Sequence, residues 1–230
     1  MKSTDKNLAV ILVSGGMDSA TALGIAASEG YRLALIHFDY GQRNRIKEQE
    51  AFDKLAKHYE TENTLVVPMD FLKIIGGSAL TDESIPVPEK MTSENEIPIT
   101  YVPFRNGIML SIAAAWAEVI GAKKIFTGFV EEDSSGYPDC REIFVKSMNE
   151  SINLGRRPES AVDIIAPLLH LKKSEIVKIG TKLGVPYEFT WSCYLGGEKQ
   201  CGKCPACRLR KRAFAKAGIE DPVKYSDIME

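Results

Sequence analysis

A marked excess of either charge is missing from this chain: 29 lysines and arginines stand against 31 aspartates and glutamates, a formal net charge of −2 at pH 7. Nothing sequence-wide marks it as a tRNA- or DNA-binding protein. No apolar run reaches the roughly 18 residues that a membrane span needs. The polar start Met1–Asn7 and the brief apolar run after it are too short for a signal peptide. These absences predict a cytoplasmic protein with no membrane partner, in whose reducing compartment five cysteines point to metal or catalysis rather than disulfides. Two nucleotide signatures are absent as well. The Walker pattern G-x-x-x-x-G-K-[ST] does not occur near the start and no lysine follows the glycines there, which argues against a kinase or GTPase loop. Without G-x-G-x-x-G a dinucleotide fold has no support.

What stands instead is Leu8–Thr21, LAVILVSGGMDSAT. Leu8–Val13 is an unbroken apolar run of the kind a strand buried on both faces requires. It stops at Ser14-Gly15-Gly16, and from Asp18 to about Ser28 apolar residues recur at helical spacing. A strand, a glycine turn and a helix start make an anion site: paired glycines let amides approach a phosphate, and the helix dipole favours negative charge there. A carboxylate among those amides would repel the ligand unless a cation lay between, so Asp18 suggests Mg²⁺ bound with a nucleotide. The alternative is a plain turn with Asp18 capping the helix.

At 230 residues the chain accommodates one α/β domain and a small appendage, with a division expected at 1–185 and 186–230. Strands are expected at Arg32–Asp39, Thr64–Val67 and Lys124–Gly128, and amphipathic or buried helices at Arg45–Tyr59, Ile108–Ile120 and Asp139–Asn153. A further helix is expected from Lys172 through Leu183. In Ile108–Ile120 nearly every side is apolar, predicting a central buried helix; in Asp139–Asn153 the residues Ile143, Phe144, Ser147 and Met148 define the buried face. Strands alternating with helices imply a doubly wound parallel sheet with its ligand beyond the strands' carboxyl ends, where Ser14 and Asp39 both fall. His37, inside a strand, reads as a packed residue. Gly76–Tyr101, rich in proline and polar groups, is a long loop that reads equally as a lid or a surface excursion.

Three further places carry candidate chemistry. Arg105 and Asn106 stand at the mouth of a helix, where they could hold phosphate or base, or simply cap it. In Phe129–Arg141 the ring of Tyr137 offers stacking, and Asp139 can accept two hydrogen bonds from the edge of a guanine-like base; an ordinary Pro-Asp helix start accounts for the same residues. Lys173 opposes the dipole of its own helix unless an anion lies nearby. At the C-terminus, Cys193, Cys201, Cys204 and Cys207 form C-x7-C-x2-C-x2-C, a thiolate set that fits structural zinc, although the spacing also describes iron–sulfur ligands. The helix expected at Pro205–Ala217 would turn Ala206, Leu209, Ala213 and Phe214 to the body. Its other face, Arg208, Arg210, Lys211, Arg212 and Lys216, is expected to be basic and exposed.

Together these motifs resemble those of the 7-cyano-7-deazaguanine synthases, a family of PP-loop ATP pyrophosphatases. SGGMDS at Ser14–Ser19, YGQR at Tyr40–Arg43, VPFRN at Val102–Asn106, SGYPDCR at Ser135–Arg141 and the terminal cysteines carry the likeness. The chain departs from it at Asn44, where the family more often has histidine. The resemblance implies that ATP, ammonia and 7-carboxy-7-deazaguanine yield 7-cyano-7-deazaguanine through adenylated acid and amide intermediates, in a cytoplasmic homodimer with structural zinc and Mg²⁺ accompanying ATP. It implies ATP contacts from Val13, Ser14, Gly15, Gly16, Met17, Asp18, Ser19, Ala20, Thr21, Ala22 and Leu23. Substrate contacts would come from Gln42, Arg43, Tyr137, Asp139 and Cys140, and catalytic roles from Asp18, Ser19, Arg105 and Lys173. Two rival readings are a PP-loop tRNA thiolase with an iron–sulfur cluster and a non-enzymatic nucleotide sensor.

Overall fold

Five apolar or alternating segments pair side by side as parallel strands in the computed structural model, which describes residues 7–89, 96–131 and 136–226. They are β1 (Leu8–Leu12), β2 (Arg32–Asp39), β3 (Asn63–Pro68), β4 (Lys124–Phe126) and β5 (Asp163–Ile165), ordered β3-β2-β1-β4-β5. The order reverses direction at β1, so the crevice beyond the ends of β1 and β4 is the switch point at which doubly wound sheets bind ligands. The helices are α1 (Met17–Ser28), α2 (Arg45–His58), α3 (Phe71–Ile75), α4 (Arg105–Ile120), α5 (Glu142–Leu154), α6 (Lys173–Lys182) and α7 (Pro205–Ala217). Among the described residues no helix is long and apolar enough to cross a membrane.

Strand alternation divides the core. Leu8, Val10 and Leu12 of β1 join Ala34, Ile36 and Phe38 of β2 and the inner face of α4. Ala9, Ile11 and Val13 point the other way, onto α1, α2 and α7. Both faces of the central strand are thus dry, which is what its unbroken apolar run implies. His37 packs here as expected: it is 1% exposed, and its Nδ1 lies 2.8 Å from the Val13 carbonyl. Burial lowers its pKa, so the ring is neutral and Nδ1–H is the donor. Residues either side of the expected 185/186 division, Val185 and Tyr187, sit in one cluster with Ala213 and Phe214 of α7.

Several expectations need correction. Helix α4 covers one face of the sheet instead of running through the middle, and Val119 is 78% exposed. In α5 Phe144 and Met148 pack on the core as expected, joined by the buried Val145, whereas Ile143 is 73% exposed and Ser147 is exposed. A separate 3₁₀ turn, Pro138–Cys140, precedes that helix, which begins at Glu142 instead of Asp139. Part of the Gly76–Tyr101 loop is core: Ser78, Ala79, Leu80 and Thr81 are buried, while residues 90–95 lie outside the described residues.

Arg210 does not belong to a basic surface. It is 1% exposed, and its guanidinium donates to both oxygens of Asp221 (Nε to Oδ2 and Nη2 to Oδ1, each 2.9 Å), to Thr190 Oγ1 (2.6 Å) and to the Tyr187 carbonyl (3.2 Å). A charge desolvated this fully is tolerated because every donor direction is used. Removing its partner leaves it uncompensated. Asp221→Ala should therefore cost about 3–5 kcal/mol of stability in urea denaturation, and Arg210→Met clearly less; equal midpoints for Asp221→Ala and the parent would refute this account.

Candidate active site

Residues 14–16 connect β1 to α1 at the switch point. Gly15 has φ +83°, and a Cβ there would stand 2.9 Å from both Ala51 Cβ and the Glu48 carbonyl. Only glycine lets α2 lie this close to the loop. From the opposite side, a Cβ on Gly128, just past β4, would meet Ser19 N at 2.7 Å. The loop is cross-braced internally. Ser19 Oγ donates to the Gly16 carbonyl (3.0 Å), the Ser14 and Ser19 hydroxyls share a hydrogen bond (3.1 Å), and Trp191 N donates to the Gly15 carbonyl (2.9 Å). No side chain caps the α1 N-terminus, so its first-turn amides face the crevice.

Asp18 is in that first turn. Lys173 Nζ, at the start of α6, donates to its Oδ2 at 2.5 Å, while its Oδ1 is buried without a hydrogen-bond partner. An orphaned carboxylate oxygen beside phosphate-binding amides fits a divalent cation. The pairing also answers how Lys173 is accommodated at a helix N-terminus: Asp18 is its neighbouring anion.

The loop forms one end of a cleft of about 280 Å³. Val13, Ser14, Gly16, Met17, Asp18, Ser19, Arg105, Tyr137, Cys140 and Lys173 all line it, and so do Asn44, Glu48, Trp191 and Tyr194. Gly15, Ala20, Thr21, Ala22 and Leu23 do not line the cleft; Ala20, Thr21, Ala22 and Leu23 are buried in the fold behind it. Gln42 and Arg43 stand outside the lining as well. Arg43 donates to the carbonyls of Ala79, Asp82 and Ile85 at 2.6–2.8 Å, pinning the loop that follows α3. Gln42 bridges the β2–α2 turn, accepting from Tyr40 N (2.8 Å) and donating to Glu48 Oε2 (2.7 Å).

Arg105 opens α4 behind Phe104, a non-glycine residue at φ +53° whose ring fills the place a Cβ on residue 107 would take. Arg105 Nη1 donates to Tyr40 Oη (2.9 Å), and the guanidinium lies 5.2 Å from that ring. Asp139 is 3% exposed and caps the same helix from outside: its Oδ2 accepts from Asn106 N at 3.0 Å, and Oδ1 is unpartnered. Burial raises its pKa. Tyr137 donates to Thr100 Oγ1 (2.9 Å). Ser135, the first residue of that motif, lies outside the described residues.

Beyond the cleft, Cys193, Cys201, Cys204 and Cys207 bring their sulfurs within 4.8 Å of one another, close enough for one metal ion. Backbone N–H groups of Leu195 and Cys201 donate to Cys193 Sγ, and those of Lys203 and Cys204 to Cys201 Sγ, at 3.3–3.4 Å. Such donors favour thiolates.

A family model for the queuosine biosynthesis protein QueC matches residues 8–218. The chain belongs to the QueC family. Within it, the 7-cyano-7-deazaguanine synthase of Sulfurovum sp. (strain NBC37-1) is 52% identical over 217 residues, 94% of this chain and 97% of that protein. The corresponding synthase of Chlorobaculum parvum is 51% identical over 217 residues, covering 94% and 96%. A 4-thiouridine synthetase solved with RNA and bound ATP shares the fold, with a TM-score of 0.50 and 18% identity, across 91% of this chain and 53% of that one.

Among the cleft residues of this QueC chain that went unnoticed in its sequence are Glu48, Trp191 and Tyr194. Glu48 stands in a polar stretch, Lys47–Glu50, that reads as a solvated helix face; only the depth of the β2–α2 turn exposes its position. Cys140, in contrast, follows its motif into the cleft, where Asn106 Nδ2 donates to its sulfur at 3.2 Å. Burial pushes its thiol up to about 12, so at pH 8 only about one molecule in 10⁴ carries the thiolate. Iodoacetamide at pH 8 should therefore modify Cys140 at least 100-fold more slowly than an ordinary thiol, as read by peptide mass spectrometry; labelling at the free-thiol rate would show it to be ionised.

Proposed function

We propose that this protein converts 7-carboxy-7-deazaguanine, ATP and ammonia to 7-cyano-7-deazaguanine, releasing AMP and pyrophosphate. The observation that carries the reading is the 52% identity to a protein of that name over nearly the whole of both chains. The cleft's chemistry is consistent with it. A carboxylate oxygen is a poor leaving group until it attacks the α-phosphate and becomes an acyl adenylate. The α1 amides and the Lys173 ammonium face the charge that grows on the departing pyrophosphate. Mg²⁺ held by Asp18 supplies further neutralisation of that charge when bound. Arg105, held by Tyr40, orients the acid, Tyr137 stacks on the base, and the unpartnered Oδ1 of Asp139 accepts from its edge. Ammonia yields the amide, and a second adenylation of the amide oxygen lets AMP leave with it, producing the nitrile.

In this reading residues 1–185 perform the ATP chemistry and residues 186–230 carry one structural zinc on Cys193, Cys201, Cys204 and Cys207. Gln42 and Arg43 act by shaping the turn that presents Glu48 and Asn44, not by touching substrate. On the family resemblance we also assign a homodimer working in the cytoplasm.

Mass spectrometry of a mixture of enzyme, Mg²⁺, ATP, ammonium and the acid should find the nitrile, AMP and pyrophosphate; ADP, or ATP consumed with the acid unchanged, would refute the assignment. Asp18→Asn preserves shape and removes charge, so pyrophosphate release should fall at least about 100-fold while circular dichroism shows the protein still folded. For the metal, Cys207→Ser should lose zinc by elemental analysis and open the segment after residue 186 to protease, since structural zinc contributes on the order of 10 kcal/mol. Iron with a visible absorption band in the parent protein would replace zinc in this account.

A further inference from the structure

The carboxyl of Glu48 has no part in the steps above, yet this half-buried residue lines the cleft. Each of its oxygens receives one amide N–H, Oε2 from Gln42 (2.7 Å) and Oε1 from Asn44 (3.0 Å). Neither amide can turn away without loss. Gln42 Oε1 is fixed by Tyr40 N at 2.8 Å, and Asn44 Nδ2 also donates to the Cys193 carbonyl at 2.8 Å. Both therefore present donors to the carboxylate. Two donors leave about half of its four lone-pair directions open. Buried anions are ordinarily paired with a cation, as Asp18 is with Lys173 and Asp221 with Arg210. Glu48 forms no ion pair among the described residues. The glycine at 15 presses its helix turn against the phosphate loop, so this open anion lies at the end of the cleft where the loop stands.

A hydrogen-bonded carboxyl that forms no ion pair in a substrate cleft is, when ionised, a receptor for a small cation that donates hydrogen bonds. Resting on the reaction assigned above, which needs a nitrogen nucleophile, we propose that Glu48 binds ammonium and takes a proton from it, delivering ammonia to the adenylated acid. The balance is simple. A C–N bond forms at the acyl carbon, and the C–O bond to the adenylate breaks with its electron pair leaving on the AMP phosphate. Of ammonium's four protons two stay on the amide nitrogen, one passes to Glu48 and one to water.

The charged and titratable groups facing Glu48 are Arg105 from α4, which lowers its pKa, Asp39 at the end of β2, which raises it, and the Tyr40 hydroxyl after β2, whose own pKa Glu48 helps to raise. Desolvation outweighs them and pushes the carboxyl up to about 7, which suits proton exchange at neutral pH.

The test is the pH dependence of kcat/KM for total ammonium, with ATP and acid saturating. Delivery through Glu48 makes it rise through about pH 7 and then level off, whereas capture of dissolved ammonia gives about a tenfold rise per pH unit up to the pKa of ammonium itself. A plateau upholds the proposal; the unbroken rise overturns it. In Glu48→Gln the acid-dependent exchange of pyrophosphate into ATP, measured without ammonium, should persist, KM for ammonium at pH 7 should rise about 100-fold, and alkaline pH should restore turnover. Parent-like ammonium dependence in that variant overturns the proposal. Should the variant lose exchange altogether, the parent profile decides by itself. Parent enzyme that turns over ammonium with the unbroken alkaline rise loses the role of Glu48 alone; parent enzyme without exchange, or without any response to ammonium, removes the assigned reaction.

Discussion

Backbone contact at the switch point governs this structure. The phosphate loop is squeezed between the α2 turn and the end of β4, and both approaches depend on missing Cβ atoms, at Gly15 and Gly128. The squeeze holds the loop and the first turn of α1 in one position, so the uncapped amides of that turn are aimed before any ligand arrives. Preorganisation of this kind is what makes fixed dipoles effective against developing charge. Because the surrounding sheet is parallel, with the ends of β1, β2 and β4 on one side, the loops that carry Asp18, Tyr40, Asn44, Tyr137 and Cys140 open onto the same crevice.

Among the described residues, the anions Asp18, Asp221 and Asp139 follow one rule, and Glu48 departs from it. Asp18 has Lys173, Asp221 has Arg210, and Asp139 sits at the N-terminus of α4, where its Oδ2 meets a backbone amide. Each anion is compensated by a cation or by helix amides, which is the usual condition for burial. Glu48 has only neutral amide donors. Energetically that is a weaker solution than an ion pair, and a fold selected for stability alone would have little reason to keep it.

What could be read in the sequence divides along physical lines. β1 and α1 were legible because a fully buried strand must be apolar throughout, and a change of period at paired glycines leaves few alternatives. The cysteines were legible because metal ligands need short fixed spacings. Glu48 and Arg210 were not, for one reason: each lies in a run of charged residues, Lys47–Glu50 and Arg208–Arg212, whose local pattern is that of a solvated helix face. Their burial is decided by distant partners, Gln42 and Asn44 in one case and Asp221 in the other. Arg43 shows the converse. Its place in a motif suggested contact with a ligand, whereas its guanidinium holds three backbone carbonyls that no local pattern could have named.

Among the hydrogen bonds that join the cysteine segment to the rest of the cleft are Trp191 N to the Gly15 carbonyl and Asn44 Nδ2 to the Cys193 carbonyl. The first ends on the glycine loop and the second on one of the four clustered cysteines, two residues apart along the chain. A nucleotide at the loop and a metal at the cysteines would meet across this path, and any coupling between them obeys linkage. Whatever factor metal loading adds to nucleotide affinity, nucleotide must return to metal affinity.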